Sequence, residues 1–193
     1  MNEKDIEILP KKLCLAYTIQ YKELAFDIKE QLINNNIEVV FIRQVFGCSK
    51  IKTKFPVLFI GTGKFHILNL FLFSKQIFLL DLLNNRIVKI PLNEIENFLN
   101  KRKSALLKFL SSGNIGIIVT TKQGQSNLKL ARLLKDKIKN KGKNVFIFIS
   151  NKIDVNESEN FNIDSWINTA CPGLSLDNVK IINYSELIKF NKF

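Results

Sequence analysis

Histidine is nearly missing from this chain: His66 is the single one in 193 residues. A multi-histidine metal site is therefore excluded, and the lone ring reads as a hydrogen-bonded structural residue. Cysteine is also scarce. Cys14, Cys48 and Cys171 form an odd set with no close pairing and no C-x-x-C spacing. That argues against a disulfide framework and against an ordinary structural zinc site. Long apolar runs are missing too. The richest region, "FPVLFIGTGKFHILNLFLFSKQIFLLDLL", is broken by Gly61, Gly63, Lys64 and Lys75. Its uninterrupted runs fall short of the ~20 residues that a membrane helix needs. The opening "MNEKDIEILPKK" has no apolar stretch behind a basic one, which excludes an ordinary secretory signal there. No membrane partner is expected, and the expected location is the cytoplasm.

Acidic residues are the last shortage. Asp and Glu number 17 against 29 Lys and Arg, a formal net charge of +12. Such a balance suits an anionic partner, either nucleic acid or an acidic protein. It equally suits a Lys- and Asn-rich bias spread over solvated helix faces. The basic residues do not cluster with aromatics as a single-strand-binding groove requires, so nucleic acid is not the expected partner. The hydrophobic content of 46% is that of a globular chain, and the length allows one domain or two small ones.

What the sequence does contain is alternation. "KLCLAYTIQ" reads as a buried strand over 13–19, and "YKELAFDIKEQLINNN" as a helix stopped by its asparagine run. The strands "IEVVFI", "VLFIG" and "QIFLLDL" follow, with a glycine turn and an apolar helix between the last two. The second half repeats the opening. "NIGIIVTTKQGQ" is a strand running into a polar loop, and "SNLKLARLLKDKIKNKGK" an amphipathic helix with apolar positions Leu130, Leu133, Leu134 and Ile138. "NVFIFIS" is again a strand. This order predicts an α/β protein of two similar small Rossmann-like domains, 1–92 and 93–193, each a mainly parallel sheet flanked by helices. A charged amphipathic helix, "PLNEIENFLNKRKSALLKFLSSG", joins them.

In parallel sheets the loops at the carboxyl ends of strands converge and helix N-termini supply N–H donors, so ligands collect there. Four polar features fall at such ends: Cys48, the "GTGKFH" turn over 61–66, the "TTKQGQ" loop over 120–125, and Cys171 ahead of Pro172 and Gly173. Thiolates hold iron–sulfur clusters, and Cys48 and Cys171 come from different units. Two inert thiols are the alternative. Cys14 sits early in a buried strand and reads as core. The G-x-G turn lacks the last glycine of a dinucleotide fingerprint, so it serves a tight turn or a close backbone approach. The 120–125 loop offers hydroxyls, an amide and a lysine to a carboxylate or phosphate. Its other reading is a plain strand-to-helix loop in which Gly124 turns the chain and Ser126 caps the helix. Trp166 and the phenylalanines read as core.

Taken in order, "TIQ", "QVFGCS", "FIGTGKFH", "GIIVTTKQGQ" and "WINTACPGLSLD" resemble the second and third domains of archaeal-type diphthamide synthases, the 2-(3-amino-3-carboxypropyl)histidine synthases. The likeness runs from about Leu13 to Ser185. It implies a transferase in which three similar α/β domains each give one cysteine to a 4Fe–4S cluster. The open iron faces S-adenosylmethionine, and a 3-amino-3-carboxypropyl fragment passes to a histidine of elongation factor 2, the first step of diphthamide formation. On this likeness Cys48 and Cys171 are the second and third cluster ligands, and Thr121, Lys122, Gly124 and Gln125 contact S-adenosylmethionine. Gly173 departs from a usual arginine and Tyr21 from a common histidine. The family's first domain has no counterpart in these residues. The expectation is a split enzyme, its third thiolate supplied by an N-terminal-domain partner chain in a homo- or hetero-oligomer. The alternative is a non-catalytic partner subunit of a complete synthase.

Overall fold

The computed structural model describes residues 3–46, 49, 51–72, 74, 76–152, 160–175 and 178–189. It divides into two compact units, Met1–Leu99 and Asn100–Phe193. Each is an α/β unit around a mainly parallel sheet, as the alternation of strand and helix signals predicts.

The first unit opens with α1 (Glu3–Glu7), β1 (Lys12–Tyr17), α2 (Lys22–Asn34) and β2 (Glu38–Gln44). It continues through β3 (Val57–Ile60), α3 (Lys64–Phe71), β4 (Ile77–Asp81) and β5 (Arg86–Lys89). The sheet order is β2-β1-β3-β4-β5. Leu13, Cys14, Leu15 and Ala16 are all sealed from solvent, so β1 shows no polar–apolar alternation, which is the mark of a strand covered on both faces. α2 buries Ala25, Ile28 and Leu32, a stripe at helical spacing, against that sheet. β1 ends two residues earlier than the sequence suggests, because Ile19–Tyr21 tighten into a 3-10 turn.

β5 is an antiparallel addition that the sequence pattern did not show. It returns through the Asn84-Asn85 turn, where Asn85 takes a left-handed φ of 48°. Asp81 holds that turn. Its carboxylate accepts Asn84 Nδ2 (2.7 Å) and the N–H groups of Leu83 (3.0 Å) and Asn84 (3.4 Å). These hydrogen bonds, the side-chain one foremost, lower its pKa by favouring the charged form.

The long helix α4 (Leu92–Ser111) contains the division between the units, and the sequence-based division after residue 92 lies at its start. The second unit then runs β6 (Asn114–Thr120), α5 (Leu128–Lys139), β7 (Asn144–Ser150), β8 (Ser165–Asn168), β9 (Ile181–Asn183) and α6 (Tyr184–Lys189). Its order is β7-β6-β8-β9, and every pairing is parallel. α5 buries Ala131, Leu134 and Ile138. Leu133, counted on the apolar face from sequence, is 55% exposed. The reason is geometric: one helical step turns Leu133 about 100° away from Leu134, and the core line follows i, i+3, i+7. Among the described residues no helix is long and apolar enough to cross a membrane.

Candidate functional site

Strand order in the second unit locates its ligand-collecting edge. The chain moves from β6 outward to β7, then crosses to the opposite side of β6 for β8. In open parallel sheets such a reversal of strand order is where ligands bind, in a crevice at the carboxyl ends of the two strands, here β6 and β8. The "TTKQGQ" loop follows β6, and the Cys171 turn follows β8. The sequence could place each at a strand end. Only the sheet order shows that the two strands are neighbours, and Thr169 ties the ends together by donating its hydroxyl to Ile118 O (2.7 Å).

The 121–125 loop is exposed throughout. Gly124 has a φ of +73°, so the chain turns there in a conformation that disfavours a side chain. Lys122 N–H bonds to Thr120 Oγ1 (3.2 Å), and the N–H groups of Gln125 and Ser126 both reach Lys122 O (3.1 Å). This folding leaves the side chains of Thr121, Lys122 and Gln125 outward. Ser126 is not the helix cap; Asn127 holds that position, without a side-chain capping bond.

Cys171 is half-buried and free of any disulfide. It precedes a 3-10 turn, Pro172–Leu174, whose first bonds run from Leu174 N–H to Cys171 O (3.1 Å) and from Ser175 N–H to Pro172 O (3.2 Å). Asn168 braces the turn from β8. Its Nδ2 donates to Cys171 O (2.7 Å) and to Asn183 Oδ1 (2.8 Å), while its Oδ1 accepts Ala170 N–H (2.9 Å). Asn183 Nδ2 in turn donates to Pro172 O (3.3 Å). A thiol on a braced, partly open turn has the donor chemistry of a cluster ligand, whose iron must stay accessible.

Behind this turn lies a group that sequence reasoning missed. Arg102 of α4 is 1% exposed. Its Nε and Nη2 hold the two carboxylate oxygens of Glu186 at 2.6 and 2.7 Å. Nη1 donates to the carbonyls of Ser175 and Asn178, and Nη2 to Ile181 O (2.8 Å). A signal for it existed. Arg102 stands three, four and seven residues before Ala105, Phe109's neighbour Leu106, and Phe109 itself, all buried, so a charge occupies the core stripe of an amphipathic helix.

In the first unit the corresponding strand pair is β1 and β3. Thr18, at the end of β1, is buried, and its N–H bonds to Ile60 O (3.1 Å). The first glycine of "GTGKFH" is explained by this approach: a Cβ on Gly61 would lie 2.7 Å from Thr18 Oγ1 and 2.8 Å from the Phe59 ring. His66 stacks on Phe59 at 6.2 Å between ring centres, in keeping with a structural ring. Cys48 lies outside the described residues. In chain order it falls between β2 and β3, whereas Cys171 follows β8, the counterpart of β3. The two thiols thus occupy different slots of the repeated topology. Among the described residues no three His, Cys, Asp or Glu side chains gather as metal ligands.

Cys14 is core, as its place in β1 implies. Its Sγ lies 3.4 Å from Thr53 Oγ1, and burial pushes its thiol pKa up, outweighing that hydrogen bond. Less thiolate at neutral pH and no solvent access both slow alkylation. Brief iodoacetamide treatment of the native chain is expected to label Cys171 and leave Cys14 unmodified until denaturant is added, as peptide mapping will read.

The sequence profile of the diphthamide synthesis protein family matches residues 2–187. The chain is 31% identical over 174 residues to the 2-(3-amino-3-carboxypropyl)histidine synthase of Methanocaldococcus jannaschii, spanning 86% of this chain and 46% of that protein. Against the synthase of the same name from Pyrococcus horikoshii it is 28% identical over 189 residues, 91% of this chain and 54% of the relative. It therefore spans about half the length of these curated relatives. The crystal structure of Dph2 from Pyrococcus horikoshii superposes with a TM-score of 0.84 at 25% identity, covering 100% of this chain and 61% of that one. The form of that protein with a 4Fe-4S cluster gives 0.83, at 98% and 60% coverage. With its motifs, its two mainly parallel sheets and nearly its whole length in agreement, this chain belongs to the diphthamide synthesis protein family.

Proposed function

We propose that this chain is a catalytic part of a 3-amino-3-carboxypropyl transferase acting in the first step of diphthamide formation, with a histidine of elongation factor 2 as acceptor. The observation that carries the reading is the Cys171 thiol, half-buried on a turn braced by Asn168, at the crevice that the "TTKQGQ" loop also borders. Cys171 and Cys48 would hold a 4Fe–4S cluster. When bound, that group supplies the electron for reductive cleavage of S-adenosylmethionine, releasing the 3-amino-3-carboxypropyl fragment. Thr121, Lys122, Gly124 and Gln125 would bind S-adenosylmethionine: the Lys122 ammonium suits a carboxylate, and the exposed amide and hydroxyl offer neutral hydrogen bonds.

A cluster of this type needs a third thiolate. Cys14 is sealed in the core, so the third ligand comes from outside these residues, from the family's first domain. The assembly works away from any membrane, in the cytoplasm where thiols stay reduced.

The test is anaerobic reconstitution with ferrous iron and sulfide, using this chain together with the candidate N-terminal-domain chain. Iron content and visible absorption should drop to background in Cys48→Ala and in Cys171→Ala. Unchanged iron in both variants overturns the proposal. Full transferase activity of the partner without this chain would instead assign it the accessory role.

A further inference from the structure

The Arg102 group and the Cys171 turn are joined by an unbroken series of hydrogen bonds. Arg102 grips Glu186 through both carboxylate oxygens. Glu186 Oε2 also accepts Asn183 N–H at 2.8 Å. The Asn183 side chain bonds to Asn168 Nδ2 and to Pro172 O, and Asn168 Nδ2 reaches Cys171 O. From the other side, Arg102 holds the carbonyls of Ser175, Asn178 and Ile181, the far limb of the same β8–β9 connection. Ser175 completes the enclosure by donating its hydroxyl to Pro172 O (3.1 Å). Arg102, Ser175, Asn168, Asn183 and Glu186 are all at least nineteen-twentieths buried, at exposures of 1%, 0%, 2%, 3% and 1%.

An arginine does this work where a lysine cannot. The planar guanidinium presents its N–H groups in a fixed fork, so one side chain fixes a carboxylate and three carbonyls at once. Ser175 and Asn178 lie in the connection outside any strand and Ile181 opens β9, and buried carbonyls without donors are costly. The result is a connection held at its Cys171 end by Asn168 of β8 and Asn183 of β9, and at Ser175 and Asn178 by Arg102 of α4. If stability alone were served, an apolar contact of similar volume would do as well, since buried ion pairs rarely outperform packing. What the polar series adds is a fixed direction for the turn.

We infer that Arg102 is a positioning residue for Cys171, acting through Glu186, Asn183 and Asn168 to hold the thiol at the crevice edge in one orientation. The functional half of this inference rests on the reading of Cys171 as a cluster ligand. The structural half does not. A preset thiolate costs less ordering when the cluster assembles, and a rigid ligand keeps the remaining iron open to substrate.

Two variants of the full chain test it, both assayed without iron. Arg102→Lys keeps a positive charge beside Glu186 but loses the fork. Asn183→Ala leaves Arg102 and Glu186 paired and cuts the relay to the turn. In each, amide exchange at Leu174 and Ser175 is expected to rise about tenfold, the net worth of roughly one hydrogen bond, while Ile117 and Val119 on β6 keep their native protection. Iodoacetamide labelling of Cys171, at one pH and well below the melting temperature, should change several-fold in the same variants. Native rates in both probes overturn the inference. So does a rise shared equally by β6, which marks a merely stabilising role. Should Arg102→Lys not fold, Asn183→Ala decides alone. Loss of the cluster-ligand reading would show separately, as Cys171→Ala retaining iron while the exchange pattern still follows Arg102.

Discussion

Arg102→Met is expected to destabilise the second unit by about 3–5 kcal/mol, the range for removing one partner of a buried ion pair. The substitution keeps most of the side-chain volume, so cavity formation contributes little. What it leaves behind is the Glu186 carboxylate, 1% exposed, with only the Asn183 N–H as donor among the bonds described. The carbonyls of Ser175 and Ile181 lose donors as well. Urea unfolding read by far-ultraviolet circular dichroism will measure the loss as a lower midpoint at unchanged slope.

The double variant Arg102→Met/Glu186→Leu sharpens the point. Removing both charges should recover part of the loss, because no unpaired carboxylate remains. It should not recover all of it, since the carbonyls stay unsatisfied. Full recovery would mean that the carbonyl bonds carry no weight, and the idea of a loop clamp would lose its energetic basis.

Gly116→Ala is the second large effect, expected at about 1–3 kcal/mol despite the gain in strand propensity. Gly116 of β6 pairs with Trp166 of β8, and the indole lies across the glycine. An added Cβ would fall 2.3 Å and 2.5 Å from the two nearest carbons of the indole's six-membered ring. The indole has little room to yield. Phe148 packs against it edge-on at 4.6 Å between ring centres, Phe161 sits at 6.1 Å, and Trp166 is 3% exposed. Trp166 is the single tryptophan of the chain, so intrinsic fluorescence reports this site alone. Emission should shift to the red and the urea midpoint should fall. Unaltered emission with an unaltered midpoint would show that the ring moves aside without cost.

Much of the architecture was legible because it is written in local periodicity. β1 and β6 are continuous apolar runs, and α2 and α5 carry stripes at three- and four-residue spacing. Such patterns need only neighbours along the chain to be read. The local readings that failed did so for local reasons of their own. Leu133 was one helical step off the buried line, and Ser126 lay one residue ahead of the cap position at Asn127. β5 escaped notice because four residues with one buried position make too short a pattern.

The candidate site was legible in its parts. A cysteine ahead of Pro-Gly, a Thr- and Gln-rich loop after a strand, and G-x-G before a helix are all visible as text. Their meaning as a site was not, because adjacency of β6 and β8 follows from sheet order. Arg102 was visible as a charge in an apolar stripe, but its partner Glu186 is 84 positions away. Nothing in the sequence near either residue announces the other.

The sequence by itself determined most of the strands and helices, that Cys171 stands on a turn past a strand, and which family's motifs the chain carries. Only the tertiary structure decided that the loops after β6 and β8 leave neighbouring strands, that Arg102 grips the connection bearing Cys171, and that Trp166 closes over Gly116. The physical reason is range. Periodicity and turn chemistry act between residues a few positions apart, whereas strand order and buried polar pairing are settled by which distant surfaces can be covered and which polar groups can be satisfied together.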